Sequence, residues 1–182
     1  FSKASTNTIV KNAGISKGLL FHYFGNKKDL YDYISKFVVE KLFYEVSERI
    51  DWENTDIFER IKQIALVKIE LSAIYPQLFT FAISIFSQDN TINFEQAIKK
   101  YEEFGINVQE LFTKVYQHNI DYTLFSDPGK IGMYIDIIRW TIEKFAEEKV
   151  MSVDVTIDLS VIKTISDEMS TYIDVLKKAF YA

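Results

Sequence analysis

Proline stands at only two places in this 182-residue chain, Pro76 and Pro128, and glycine at only six. Both residue types end or bend helices, proline by removing an amide donor and glycine by adding backbone freedom. Long helices therefore meet few interruptions. Apolar residues recur at helical spacing and alternating strand patterns are scarce, so the chain reads as all-α. Its length and 48% hydrophobic content suffice for a sizeable core. Cysteine is absent, which removes disulfides, thiolate nucleophiles and cysteine-based zinc sites. No run of about 18 uncharged apolar residues marks a membrane span. A cytoplasmic location without a membrane partner is expected.

The helix boundaries follow from caps and breakers. A first helix is expected from Thr6 to Ala13, capped by Ser5 or Thr6 and closed by Gly14 in a left-handed turn. Ile15 then enters the core. Ser16 caps a second helix, Lys17 to Phe24, and Gly25-Asn26 breaks it. Asn26 with Asp29 resembles a capping box and opens a long helix to about Arg49. The inner stripe of that helix is Leu30, Ile34, Phe37, Val38, Lys41 or Leu42, and Val46. Asp51–Asp56 is a polar connection. Asp56 opens a helix to about Ile74, and Pro76 starts a shorter one to about Ser87. Gln88–Thr91 is a turn. A long helix then runs past Phe94 to about Asn119, loosened at Gly105. Asp127-Pro128 caps a helix to about Lys149, and Asp154–Asp158 leads into the last.

Charge is unevenly spread. Residues 1–28 hold five lysines and no acid, whereas the remainder holds 16 basic and 26 acidic side chains. A basic end on an acidic body points to a polyanion partner. Two short helices about a tight glycine turn outline a helix-turn-helix. Ile9, Ala13, Ile15 and Leu20 hold the two helices together, with Ala13 small where they cross. Lys17, Gly18, Phe21 and His22 lie on the outward turns of the second helix, the end that enters a major groove. Thr6, Tyr23 and Lys27 reach phosphates. His22 has no partner at metal-ligand spacing, so no metal site is expected.

The stretch "ASTNTIVKNAGISKGLLFHYFGNKKDLY", Ala4 to Tyr31, resembles the TetR family of bacterial transcriptional regulators. The shared elements are the threonine-rich helix start, the Ala-Gly-Ile turn, the Ser-Lys-Gly opening, the aromatic "FHYF" and the Asn-Lys-Lys before a long helix. The resemblance implies a DNA-binding domain, here residues 1–30, joined by a long helix to a ligand-binding and dimerisation domain, residues 31–182. It implies a homodimer on double-stranded operator DNA, and a repressor released by a small molecule. Lys17, Gly18, Phe21 and His22 fall in the family's recognition helix. Thr6, Tyr23 and Lys27 fall where the backbone is usually contacted. The family's first helix, normally upstream, is missing from this sequence, which does not start with Met. A chain truly starting at Phe1 is expected not to bind DNA.

The last two helices carry more apolar surface than one stripe. Ile131, Tyr134, Ile135, Ile138, Ile142 and Phe145 share one face of the first, and Met133, Ile137 and Trp140 another. The second shows Leu159, Ile162, Ile165, Met169, Tyr172 or Ile173, Leu176 and Phe180. In the family the matching pair forms a four-helix bundle with its mate. Ile137, Trp140, Leu159, Ile162, Met169 and Ile173 are thus expected at a dimer interface, rimmed by Asp136, Arg139 and Glu143. The middle of the chain is rich in aromatics. Phe86, Tyr101, Phe104, Phe112 and Trp140 are expected around a ligand, a small hydrophobic or aromatic molecule. Lys68 interrupts the apolar stripe Ile57, Ile61, Ile64, Leu71, Tyr75. It either snorkels to water or meets an anionic group of that ligand.

An enzyme is not expected. The chain has only two histidines, no paired-histidine metal motif, no phosphate-cradling glycine loop and no nucleophile elbow. No cofactor is expected. The competing reading is a helical lipid- or small-molecule-binding interaction protein without DNA binding.

Overall fold

The computed structural model describes residues 5–88, 91–92, 94–152 and 159–182. Its helices are α1 (Thr6–Ala13), α2 (Lys17–Phe24), α3 (Lys27–Ser47), α4 (Ile57–Ile74), α5 (Pro76–Phe86), α6 (Phe94–Glu103), α7 (Val108–Tyr116), α8 (Ile131–Ser152) and α9 (Leu159–Phe180). The fold is all-α, with one minimal antiparallel ladder in which Ser87 faces Ile92 and Gln88 faces Thr91. The interior of the expected Gln88–Thr91 turn lies outside the described residues, as does the expected Asp154–Asp158 lead-in. The chain forms two compact units that divide inside α3, between Lys41 and Leu42. That division falls further along α3 than the expected 30/31 boundary.

In the first unit the expected helices form, and Gly14, Ser16 and Asn26 bound them as expected. Gly14 adopts φ 67° and ψ 27°, a conformation that costs most residues a Cβ clash. Its amide bonds Lys11 O and that of Ile15 bonds Val10 O at 3.1 Å, a Schellman turn. Ser16 Oγ accepts from the Leu19 amide at 3.1 Å. Asn26 Oδ1 accepts from the Lys28 and Asp29 amides, and its amide nitrogen donates to Asp29.

Four details differ from expectation. Ser5 occupies the cap position of α1, but its side chain accepts nothing from the helix. Ile15 is 37% exposed rather than in the core, because the left-handed turn directs it outward. Ala13 is exposed as well, and α1 contributes only half-buried Ile9 and Val10 beside the buried Leu20. Along α3 the inward positions are Leu30, Ser35, Val38 and Val39, so the bulk of Phe37 points out.

The second unit is organised around α4. It is buried along most of its length at Ile57, Phe58, Arg60, Ile61, Ala65, Val67, Ile69 and Leu71. Asp56 caps it, accepting from the Phe58 amide at 2.9 Å. Helices α8 and α9 pack on it through Tyr134, Ile138, Ile142, Ala146, Ile165, Met169 and Ile173. The chain's end is tied to the start of α4. Tyr181 Oη donates to Asp56 at 2.8 Å, and Lys177 pairs with Asp56 and Glu59 at 2.7 and 2.8 Å. Burial and the neighbouring Asp56 carboxylate both push the Tyr181 phenol well above its ordinary range.

The expected helix from Phe94 to Asn119 is two helices. Gly105 takes φ 79° and ends α6, and Asn107 then caps α7 by accepting from the Glu110 amide at 3.1 Å. Asp127 caps a single 3-10 turn, Pro128–Lys130, which precedes α8. Among the described residues, no single helix is long and apolar enough to cross a membrane.

Candidate nucleic-acid interface and ligand cavity

The outer surface of α2 carries the residue types expected there. Lys17, Gly18, His22 and Tyr23 are exposed, Tyr23 at 74%. Phe21 is half-buried, with the Lys17 ammonium 5.9 Å from its ring centroid. The imidazole of His22 meets the Tyr23 ring edge-on at 5.5 Å. Thr6 and Lys27 are half-buried, one at the start of α1 and the other at the start of α3. Leu20 is buried and Phe24 half-buried, with Phe24 packed on Tyr33 at 5.2 Å.

The chemistry of this surface is specific. Lys17 projects from a helix whose first turn is open and contains Gly18, Lys11 of α1 and Lys28 of α3 are exposed on the neighbouring helices, and Leu20 is the buried anchor of α2. No acid occurs before Asp29, so the field over α1 and α2 is positive. A short exposed helix with positive side chains, preceded by a tight turn, fits the major groove of a duplex.

These features define a helix-turn-helix DNA-binding protein. The family model of the bacterial regulatory proteins, tetR family, matches residues 1–34. The match covers the helix-turn-helix segment and the start of α3, and it supports a DNA-binding transcription regulator of that type. No curated protein matches the chain.

The second unit holds a cavity of about 380 Å³ between α4, α5, α7 and α8. Its apolar lining includes Ile61, Ala65, Phe79, Ile83, Val115 and Ile142, and its polar lining is Lys68, Tyr116, Glu143 and Glu147. Burial, with the Glu143 carboxylate nearby, pushes the Tyr116 phenol well above its ordinary range. Of the residues expected around a ligand, Lys68 alone lines this cavity. Phe86 and Tyr101 pack on each other instead, with ring centroids 4.5 Å apart, and Phe43 meets Tyr101 edge-on. Phe104 is core at 6% exposure, Phe112 is 42% exposed and Trp140 59%. The break at Gly105 puts Tyr101 and Phe112 on separate helices, α6 and α7, whereas Trp140 points outward from α8.

The expected dimer residues also divide. Met169 and Ile173 are 0% and 2% exposed and belong to the core with α4 and α8, so they are unavailable to a second chain. Trp140 is exposed, Ile137 and Ile162 are half-buried, and the side chain of Leu159 lies outside the described residues. Met133 at 60%, Tyr172 at 48% and Val175 at 64% are exposed apolar residues of α8 and α9. Arg139 pairs with Asp136 at 3.2 Å and with Glu143 at 3.5 Å, as their spacing requires.

Sequence reading passed over Arg60. It is 0% exposed and bonds five backbone carbonyls. Those of Trp52, Asn54 and His118 lie at 3.0, 2.6 and 2.6 Å, and those of Lys114 and Val115 at 3.4 Å. Desolvation lowers its pKa, and Asp51, Tyr122 and Glu53 oppose that shift. The signal was present: a cation one position before Ile61, on the apolar side of a helix.

Proposed function

We propose that this regulator is a ligand-responsive repressor that leaves its operator when a small hydrophobic or aromatic molecule fills the cavity of the second unit. In this reading Lys17, Gly18, Phe21 and His22 face the bases. Thr6, Tyr23 and Lys27 hold the phosphate backbone.

One observation carries the responsive part. Val115 and Tyr116 of α7 line the cavity, and the residue before them, Lys114, bonds Ser47 Oγ at 3.2 Å. Ser47 is the last residue of α3, the helix whose earlier part belongs to the DNA-binding unit. Lys114 also lies 4.2 Å from the Trp52 ring centroid. A molecule that displaces α7 therefore acts on the end of α3. A ligand shifts this equilibrium only by its differential affinity for the two arrangements.

The exposed apolar residues Met133, Trp140, Tyr172 and Val175 support a homodimer through the outer faces of α8 and α9. In a dimer, a change at α3 alters the spacing of two recognition helices, which must meet half-sites about one helical turn apart. A gel shift of the full-length protein on DNA flanking its own gene, with anionic vesicles as competitor, tests the reading. A retained complex that a hydrophobic additive dissolves supports it. Loss of the protein to vesicles, or a complex indifferent to every such additive, counts against it.

A further inference from the structure

The charges around the cavity narrow the ligand, and this step rests on the ligand-responsive reading. The carboxylates of α8 already have cations on their own helix. Glu143 has Arg139 at 3.5 Å, and Glu147 has Lys144 at 3.1 Å.

Lys68 differs. The residues one turn away on α4 are Ile64, Ala65, Leu71 and Ser72, none of them acidic. Among the described residues no carboxylate lies within ion-pair distance of it, and the side chain is exposed at the edge of the apolar lining. A snorkelling lysine keeps its stem on apolar surface and its ammonium in water, which is where the head group of an amphiphile would sit.

We infer that the effector is an amphiphilic anion, with a hydrocarbon body against Ile61, Ala65, Phe79 and Ile142 and a single carboxylate on Lys68 Nζ. An amphiphilic cation would face Lys68 itself and would have to compete with Arg139 or Lys144 for the α8 carboxylates. A neutral alcohol of the same length gains the burial without the charge-assisted hydrogen bond.

Calorimetric titration of the full-length protein, without DNA, with decanoate, decanol and decylamine below their micellar concentrations tests this. Decanoate should bind at least tenfold tighter than the other two. Lys68→Met should bring decanoate to the level of decanol and leave decanol unchanged. Ile83→Trp, which fills the cavity from α5, should abolish both. Tightest binding by decylamine, undiminished decanoate binding in Lys68→Met, or no binding of any probe would overturn the inference. If decanoate binds as inferred yet leaves the operator complex intact at saturation, the ligand class stands and the release mechanism fails.

Discussion

Replacing Arg60 by methionine should destabilise the second unit by about 3–4 kcal/mol. The guanidinium is fully buried and joins two segments far apart in sequence, the connection at Trp52 and Asn54 and the end of α7 at His118. Methionine fits the volume but satisfies none of these carbonyls. A buried polar group left without its partner costs about 1–3 kcal/mol, and three acceptors lie at 3.0 Å or closer. At about 1.5 kcal/mol per carbonyl, in the lower half of that range, with up to about 1 kcal/mol regained by burying the apolar chain, the total reaches the estimate. Swapping a buried ion pair for apolar residues is often neutral because both charges vanish together. Here the partners are backbone and cannot be removed. For a chain of this size each kcal/mol moves the melting temperature by about 2–4 °C, so a fall of about 10 °C is expected. Denaturant unfolding followed by tryptophan fluorescence provides the assay, since the Arg60 guanidinium lies 5.8 Å from the Trp52 ring centroid and Trp52 Nε1 donates to Ser47 O. Arg60→Lys should recover less than half, because one ammonium cannot serve both segments. A loss below about 1 kcal/mol for Arg60→Met would refute the reasoning, by showing that water replaces the guanidinium freely.

Two further perturbations follow from the second unit. Trp140→Glu combined with Val175→Glu places charge on the exposed apolar face of α8 and α9, so in sedimentation the proposed dimer should give way to a monomer; an unchanged sedimentation coefficient would place the interface elsewhere. Burial raises the Tyr101 phenol from 10.0 to about 12. Its contribution is complete below the unfolded value and is lost as pH rises from about 10 to about 12. Tyr101→Phe should flatten the alkaline fall in stability across that interval, as measured by thermal melts.

Much of the helical framework was legible because short-range chemistry sets it. Ser16, Asn26 and Asp56 satisfy helix-start amides from their own side chains, and Gly14 takes a turn few other residues tolerate. Gly105 misled because the apolar period continues across it, from Tyr101 and Phe104 to Val108 and Phe112, and period alone does not reveal a break. The exposed face of α2 was legible because lysine and glycine there leave only Leu20 to turn inward. The cavity was not, since it forms where α4, α5, α7 and α8 converge, and only Lys68 stood out by interrupting a stripe. Met169 and Ile173 were misassigned for a related reason. An apolar stripe on α9 does not say which neighbour covers it, and α4 with α8 takes these two.

The central claim is that α2 presents its lysine-bearing surface to a duplex. The most direct measurement is the salt dependence of operator affinity for the full-length protein, by fluorescence anisotropy, with Lys17→Ala and Lys27→Ala alongside the parent. Affinity should fall steeply as salt rises. Lys27→Ala should lower the slope of log K against log salt by about one, because one phosphate contact is lost. Lys17→Ala should weaken specific binding by about tenfold, the lower part of the range for a groove contact. Parent-like affinity and slope in both variants would contradict the account.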